Sequence, residues 1–176
     1  MTTNCCATES ATDDDKSLEM LANESSSSRC RNCLGQSRPV SRKTVLHMLK
    51  PELLEQAITA TYRFCSTADC PVVYFEEPSK HSFTLDDLRV TVGVKATQDP
   101  IPVCYCFGFD ESHIREEVSR TGRTTVPERI SGLIREGLCA CESRNPAGVC
   151  CLGEVHRAVT RLTLTCPVSN FSLTLE

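Results

Sequence analysis

Thirteen cysteines in a 176-residue chain, most of them in closely spaced pairs, constrain this sequence more than anything else in it. "CRNC" gives Cys30 and Cys33 with two residues between them, and "CSTADC" gives Cys65 and Cys70 with four between. Both spacings let a tight turn aim two thiolates at one ion. Two such pairs make a four-sulfur tetrahedral site, the preference of structural zinc. "CYC", at Cys104 and Cys106, is too tight for that kind of knuckle. It is followed by Cys139, Cys141, Cys150 and Cys151.

The rest of the composition says why such staples are needed. Aromatic residues make up 5% of the chain and there is no Trp, so any core is small. The N-terminus "MTTNCCATESATDDDK" is acidic and lacks an apolar run, unlike a secretory signal peptide. No stretch approaches the length of a membrane span. An odd cysteine count without a secretion signal favours metal ligation in a reducing cytoplasm over a disulfide framework. A formal net charge of -4 disfavours nonspecific nucleic-acid binding.

Along the chain, residues 1–29 are polar and Ser-rich and read as a disordered leader containing Cys5 and Cys6. Residues 30–95 read as a β-rich zinc-binding module. "TYRFCS", "PVVYFEE" and the alternating "LRVTVGVK" are its expected strands. "TVLHML" fits strand or helix, and "KPELLEQAI" reads as a short helix with Pro51 in its first turn. His47 lies between the two cysteine pairs and reads as a packed or surface residue. Residues 96–103, with Pro100 and Pro102, read as a linker.

Residues 104–162 read as a three-helix domain. Asp110 is placed to cap a helix that ends near Gly122. Thr125 with Glu128 predicts a capping box for a second helix, stopped by Gly137. A third begins near Leu152 and carries Val155, Val159 and Leu162 on one side. Residues 163–176, with Cys166, read as a strand or extended tail. The fold class expected is α+β, a small β-rich zinc module followed by a three-helix unit.

A C-x-C on one loop, two helices, and further cysteines at the foot of a third helix form a four-thiolate cage. Iron–sulfur clusters are held by four Cys thiolates. In a [2Fe–2S] rhomb the C-x-C pair can serve one iron and the later pair the other, and the helix start near Leu152 adds positive dipole toward the anionic group. No cysteine is paired in sequence with a placed His and carboxylate, so a catalytic-cysteine enzyme is disfavoured and no catalytic residue is assigned.

"VCYCFGFDESHIREEV…GLCACESRNPAGVCCLGEVHRAV" resembles the [2Fe–2S] domain of bacterioferritin-associated ferredoxin and the central segment of NifU scaffolds. Those carry C-x-C, about thirty-two residues, then C-x-x-C. Here 32 residues separate Cys106 from Cys139, but position 142 is Glu142 and "ESRNPAGV" is inserted before Cys151. The larger arrangement, with "KTVLHMLKPELL", "YRFCSTADCPVVYF" and "GLCACESRNPAGVCCLG", resembles the N-terminal domain of CopZ-type metallochaperones from about Cys30 to Leu162.

That resemblance implies a mononuclear Zn²⁺ at Cys30, Cys33, Cys65 and Cys70, and a [2Fe–2S] cluster at Cys104, Cys106, Cys139 and Cys151. Cys141 competes with Cys139, and Cys150 with Cys151. It also implies a one-electron or metal-transfer role in copper homeostasis, extending to Cu(II) reduction. Partners implied are a copper chaperone, a copper-transporting ATPase or another metal-handling protein, with an electron donor. Full-length proteins of this type end in a ferredoxin-like copper domain bearing M-x-C-x-x-C. No such motif occurs here, so the copper-transfer limb is expected to be missing or on another polypeptide. The alternative function is a zinc-only interaction adaptor.

Overall fold

The computed structural model describes residues 29–58, 61–76 and 80–165. The expected leader, the tail beyond residue 165, and Cys5, Cys6 and Cys166 lie outside the described residues.

The first module is a four-stranded antiparallel sheet in the order β1-β2-β3-β4: Ser37–Ser41, Thr61–Cys65, Val72–Glu76 and Ser82–Thr84. In β2, Tyr62 and Phe64 point inward while Thr61 is exposed. The central strand β3 is buried at all five positions. Its Val73 and Tyr74 join the main core, while Val72 and Phe75 pack with Cys30, Cys65 and Cys70. An irregularity in the β3–β4 pairing between Val72 and Tyr74 breaks strict alternation and lets one strand serve both clusters.

"TVLHML" is helical: α1, Arg42–Met48, is capped by Ser41, whose Oγ accepts from the Thr44 amide at 3.2 Å. It packs Val45 and Met48 against Tyr62, Phe64, Tyr74 and Phe83. The segment with Pro51 forms a 3₁₀ helix, Pro51–Gln56.

"LRVTVGVK" is not the expected strand. Leu88 makes one isolated bridge, to Leu49, and the chain then turns through a 3₁₀ helix at Gly93–Lys95. The alternating apolar residues meet the core by packing: Leu88 and Val92 are buried in it, and Val90 and Val94 rest on its edge.

The second module opens with a small ribbon, β5 (Pro102–Cys104) and β6 (Phe109–Asp110), so the end of the expected linker is a strand. Helices α2 (Glu111–Thr121), α3 (Val126–Arg135) and α5 (Leu152–Thr165) follow, with a four-residue helix α4 (Cys141–Arg144) ahead of the last. Asp110 caps α2 through the Ser112 amide at 2.8 Å. The capping box expected at Thr125 does not form. Glu117 of α2 instead accepts from the Thr125 amide at 2.6 Å and the Thr124 hydroxyl at 2.7 Å. A carboxylate from a neighbouring helix thus accepts from the Thr125 amide that Glu128 would have met in the expected capping box.

Ile114, Val118, Val126, Ile130, Val155, Ala158 and Leu162 form one core with Cys104, Cys106 and Cys151. Buried Glu111 ties α2 to α5, bridging Arg115 at 3.3 Å and Arg161.

The two modules are joined through the inserted loop. Thr44 Oγ1 donates to the Glu142 carbonyl at 2.8 Å, and Tyr74 Oη donates to the Pro146 carbonyl at 2.7 Å. A cavity of about 220 Å³ between them is walled by Phe64, Val92, Tyr105, Ala147 and Cys151.

Candidate metal centres

The first centre is built by two loops. "CRNCLG" turns sharply, with the Leu34 amide donating to the Cys30 carbonyl at 2.7 Å and the Cys30 amide to Gly35 at 2.8 Å. Leu34 takes a left-handed φ of 58°, a conformation that costs a non-glycine residue about 1 kcal/mol. Cys65 ends β2 and Cys70 follows the next turn. The four sulfurs lie within 4.8 Å of one another. Cys30 and Cys70 are 3.9 Å apart, and Cys33 and Cys65 are 3.6 Å apart. A tetrahedron with metal–sulfur bonds of ~2.3 Å has edges of ~3.8 Å. The donor set therefore fits one four-coordinate soft ion.

Hydrogen bonds tune these sulfurs. The Cys33 thiol is brought down to about 6, chiefly by the Thr67 hydroxyl at 3.3 Å and also by the Gly35 amide at 3.4 Å. Burial pushes Cys65 up to about 12, and raises Cys30 as well. Asn32 Nδ2 donates to Cys70 Sγ at 3.3 Å. Metal binding requires all four thiols to lose their protons.

The second centre has a different geometry. Cys106 Sγ lies 3.7 Å from Cys141 Sγ. Cys104 forms a second pair with Cys151, and both are buried. Contact with Cys151 lowers the Cys104 thiol, and contact with Cys104 together with burial raises Cys151. Burial pushes Cys141 up to about 12, with Cys106 adding to it. Among the described residues the six later cysteines do not form a mutual group like the first four. Four of them form two pairs, Cys106 with Cys141 and Cys104 with Cys151.

Of the expected ligands, Cys104, Cys106 and Cys151 are brought together. Cys141 is the thiol set against Cys106, whereas Cys139 is half-buried at the rim of the same core and Cys150 is exposed. The Ala140 amide donates to Cys106 Sγ at 3.3 Å, and Arg144 Nη1 to the Cys106 carbonyl at 3.0 Å. Asn145 folds the insertion back, donating to the Val149 carbonyl at 2.7 Å and accepting from the Ala147 amide at 3.0 Å.

Residues 27–89 match the protein family described as "Zinc binding domain", of CopZ type. An X-ray structure of the Archaeoglobus fulgidus CopZ N-terminal domain superposes with a TM-score of 0.61 at 31% identity, over 80% of this chain and 99% of that one. The chain belongs to the CopZ-type N-terminal domain family. The copper chaperone CopZ of Archaeoglobus fulgidus is 34% identical over 129 residues, which span 73% of this chain and 60% of that protein. The Cys30, Cys33, Cys65 and Cys70 group lies in the zinc-binding part of this CopZ-type unit. Among the described residues no helix is long and apolar enough to cross a membrane.

Several residues around the centres carry no sequence signal. Asn32 and Thr67 lie inside the two ligand turns but belong to no ligand pattern, Lys95 reaches the first centre only through folding, and Glu111 has no motif around it.

Proposed function

We propose that this CopZ-type protein is a metallochaperone component in copper homeostasis, with a structural zinc site and a [2Fe–2S] site that passes single electrons. The observation that carries the reading is the split of the later cysteines into two pairs. A single ion draws four sulfurs to one point, as in the first centre. A two-metal rhomb needs one pair for each iron. Cys106 with Cys141, at 3.7 Å, and Cys104 with Cys151 supply those pairs. In this reading each pair takes one sulfur from the C-x-C and one from the later cysteines, and Cys141 stands where the resemblance implied Cys139. The resemblance of this half to bacterioferritin-associated ferredoxin and NifU supports the same assignment.

When bound, a [2Fe–2S] group supplies one-electron exchange. The chain's own part is to hold and shield it. Ile114, Val155 and Ala158 exclude water on the core side. The Ala140 amide donates to a ligand sulfur, and such bonds raise a cluster's reduction potential by stabilising the added negative charge. Cys150 and the Cys139 rim leave one side open toward solvent and partners. One electron supplied by a reduced protein or thiol donor converts Cu(II) to Cu(I), the form soft thiolate carriers accept. The named relative is a copper chaperone, which points to a copper carrier or transporting ATPase as partner.

Metal, sulfide and spectra measured on one anaerobic sample test this. The expected result is one zinc and two irons per chain, visible absorption that bleaches on reduction, and a paramagnetic signal from the reduced form. Two zincs with no iron or sulfide would establish a zinc-only adaptor instead.

A further inference from the structure

The turn Gly93–Lys95 touches both metal-binding loops. At one end, Lys95 is buried and its Nζ donates to the Thr67 carbonyl at 2.6 Å and the Cys70 carbonyl at 2.9 Å. Both acceptors belong to the loop that carries Cys65 and Cys70. Four thiolates with one Zn²⁺ leave a net negative charge there, so the buried ammonium is both a tether and a counter-charge. At the other end, the Gly93 amide donates to Tyr105 Oη at 2.8 Å, and Tyr105 Oη donates to the Thr91 carbonyl at 3.2 Å. Tyr105 sits between Cys104 and Cys106.

Between these ends the turn is stiff. The Lys95 amide donates to the Val92 carbonyl at 2.9 Å, and Val92 is buried in the sheet core. The approach to the second loop is close: a Cβ on Gly93 would lie 2.0 Å from the Pro102 carbonyl oxygen, on the strand that ends at Cys104.

We propose that Lys95 and Tyr105 are positioning residues of one strap, through which the zinc loop and the C-x-C loop hold each other in ligating geometry. The inference rests on the two-centre reading above. It makes a cross-prediction that a purely local role does not. Loosening the strap at Tyr105 changes metal retention at the zinc site, although the Tyr105 hydroxyl touches no residue of the zinc loop.

The test uses the full chain loaded with zinc, and the half-time of zinc release to a colorimetric chelator. Lys95→Met removes two charge-assisted hydrogen bonds and speeds release about tenfold or more. Tyr105→Phe removes only the hydroxyl and speeds release about two- to fivefold. Ile130→Val, in the helical core away from both loops, serves as the control for general loss of stability. With the melting temperature lowered to a similar degree, it leaves zinc release at the wild-type rate. In iron-loaded protein, Lys95→Met also changes the visible circular dichroism of the second centre. A Tyr105→Phe protein that releases zinc at the wild-type rate, or no faster than Ile130→Val, overturns the strap. A chain that takes up no iron overturns the cluster assignment instead, while the zinc-release rates still decide the strap.

Discussion

Replacing Tyr74 with Phe isolates one of the bonds that join the two modules. Tyr74 is fully buried, and its Oη donates to the Pro146 carbonyl at 2.7 Å across 72 positions of sequence. Burial pushes the phenol well above its ordinary range, so it stays a neutral donor at any working pH. Phe keeps the ring and its tilted contact with Phe64, at 6.0 Å between centroids, so only the hydroxyl is lost. That removes a hydrogen bond of ~1 kcal/mol and strands a carbonyl in a dry setting, for a total of about 1.5–2 kcal/mol. With a urea slope of ~2 kcal/mol per molar, the unfolding midpoint falls by about 0.8–1 M. The assay is a urea titration of zinc-loaded protein followed by far-ultraviolet circular dichroism. A shift below about 0.2 M at unchanged slope would show that the Tyr74–Pro146 bond does not hold the modules together.

Other substitutions probe other links. Cys141→Ser abolishes visible absorption and iron retention, while Cys139→Ser keeps both; iron per chain decides, and the reverse pattern refutes the pairing at Cys106. Gly148 has a φ of 67°, and a Cβ there would lie 3.0 Å from Thr44 Oγ1, so Gly148→Ala costs about 1–2 kcal/mol and lowers the melting temperature by several degrees. An unchanged melting temperature would sink that account. Glu117 is held below the usual carboxylate range by the Thr125 amide first, then the Thr124 hydroxyl and Arg129. A depressed carboxyl stabilises the fold above its unfolded pKa of ~4.3, and that contribution is lost as pH falls through the lower folded value. The melting difference between wild type and Glu117→Ala is therefore full at pH 7 and shrinks below about pH 4.3. A constant difference down to pH 2.5 would be inconsistent with it.

The first centre was legible because ligand spacing is a local property: a turn of two to four residues decides where two sulfurs point. The strands at "TYRFC" and "VVYFE" were legible for a similar reason, since short β-branched and aromatic runs favour a strand locally. "LRVTVGVK" was not. Its alternation satisfies the core from one side, but beyond the bridge at Leu88 no strand ladder forms, and ladder partners are a tertiary property. The choice between Cys139 and Cys141 was hidden for a different reason. One turn of α4 beginning at Cys141 sets that thiol against Cys106, and nothing in "CACES" announces so short a helix. Thr125 misled because a capping box is a local motif, and Glu117 arrives from another helix with a better acceptor. Lys95 had no signal at all: a lysine in an alternating run reads as solvent-facing until the fold buries it.

The insertion "ESRNPAGV" ends in a further consequence for anyone who recombines these units. Its carbonyls at Glu142 and Pro146 are the acceptors for Thr44 and Tyr74, so this loop is anchored by α1 and β3 of the first module. A helical unit excised at the 96–103 connection and fused elsewhere would carry all its sulfurs yet leave this loop without its anchor. The same loop in a ferredoxin-sized protein would have to be shorter or self-supporting. Chimaeras between the two architectures should therefore exchange "ESRNPAGV" together with Thr44 and Tyr74, treating three distant stretches of sequence as a single inherited part.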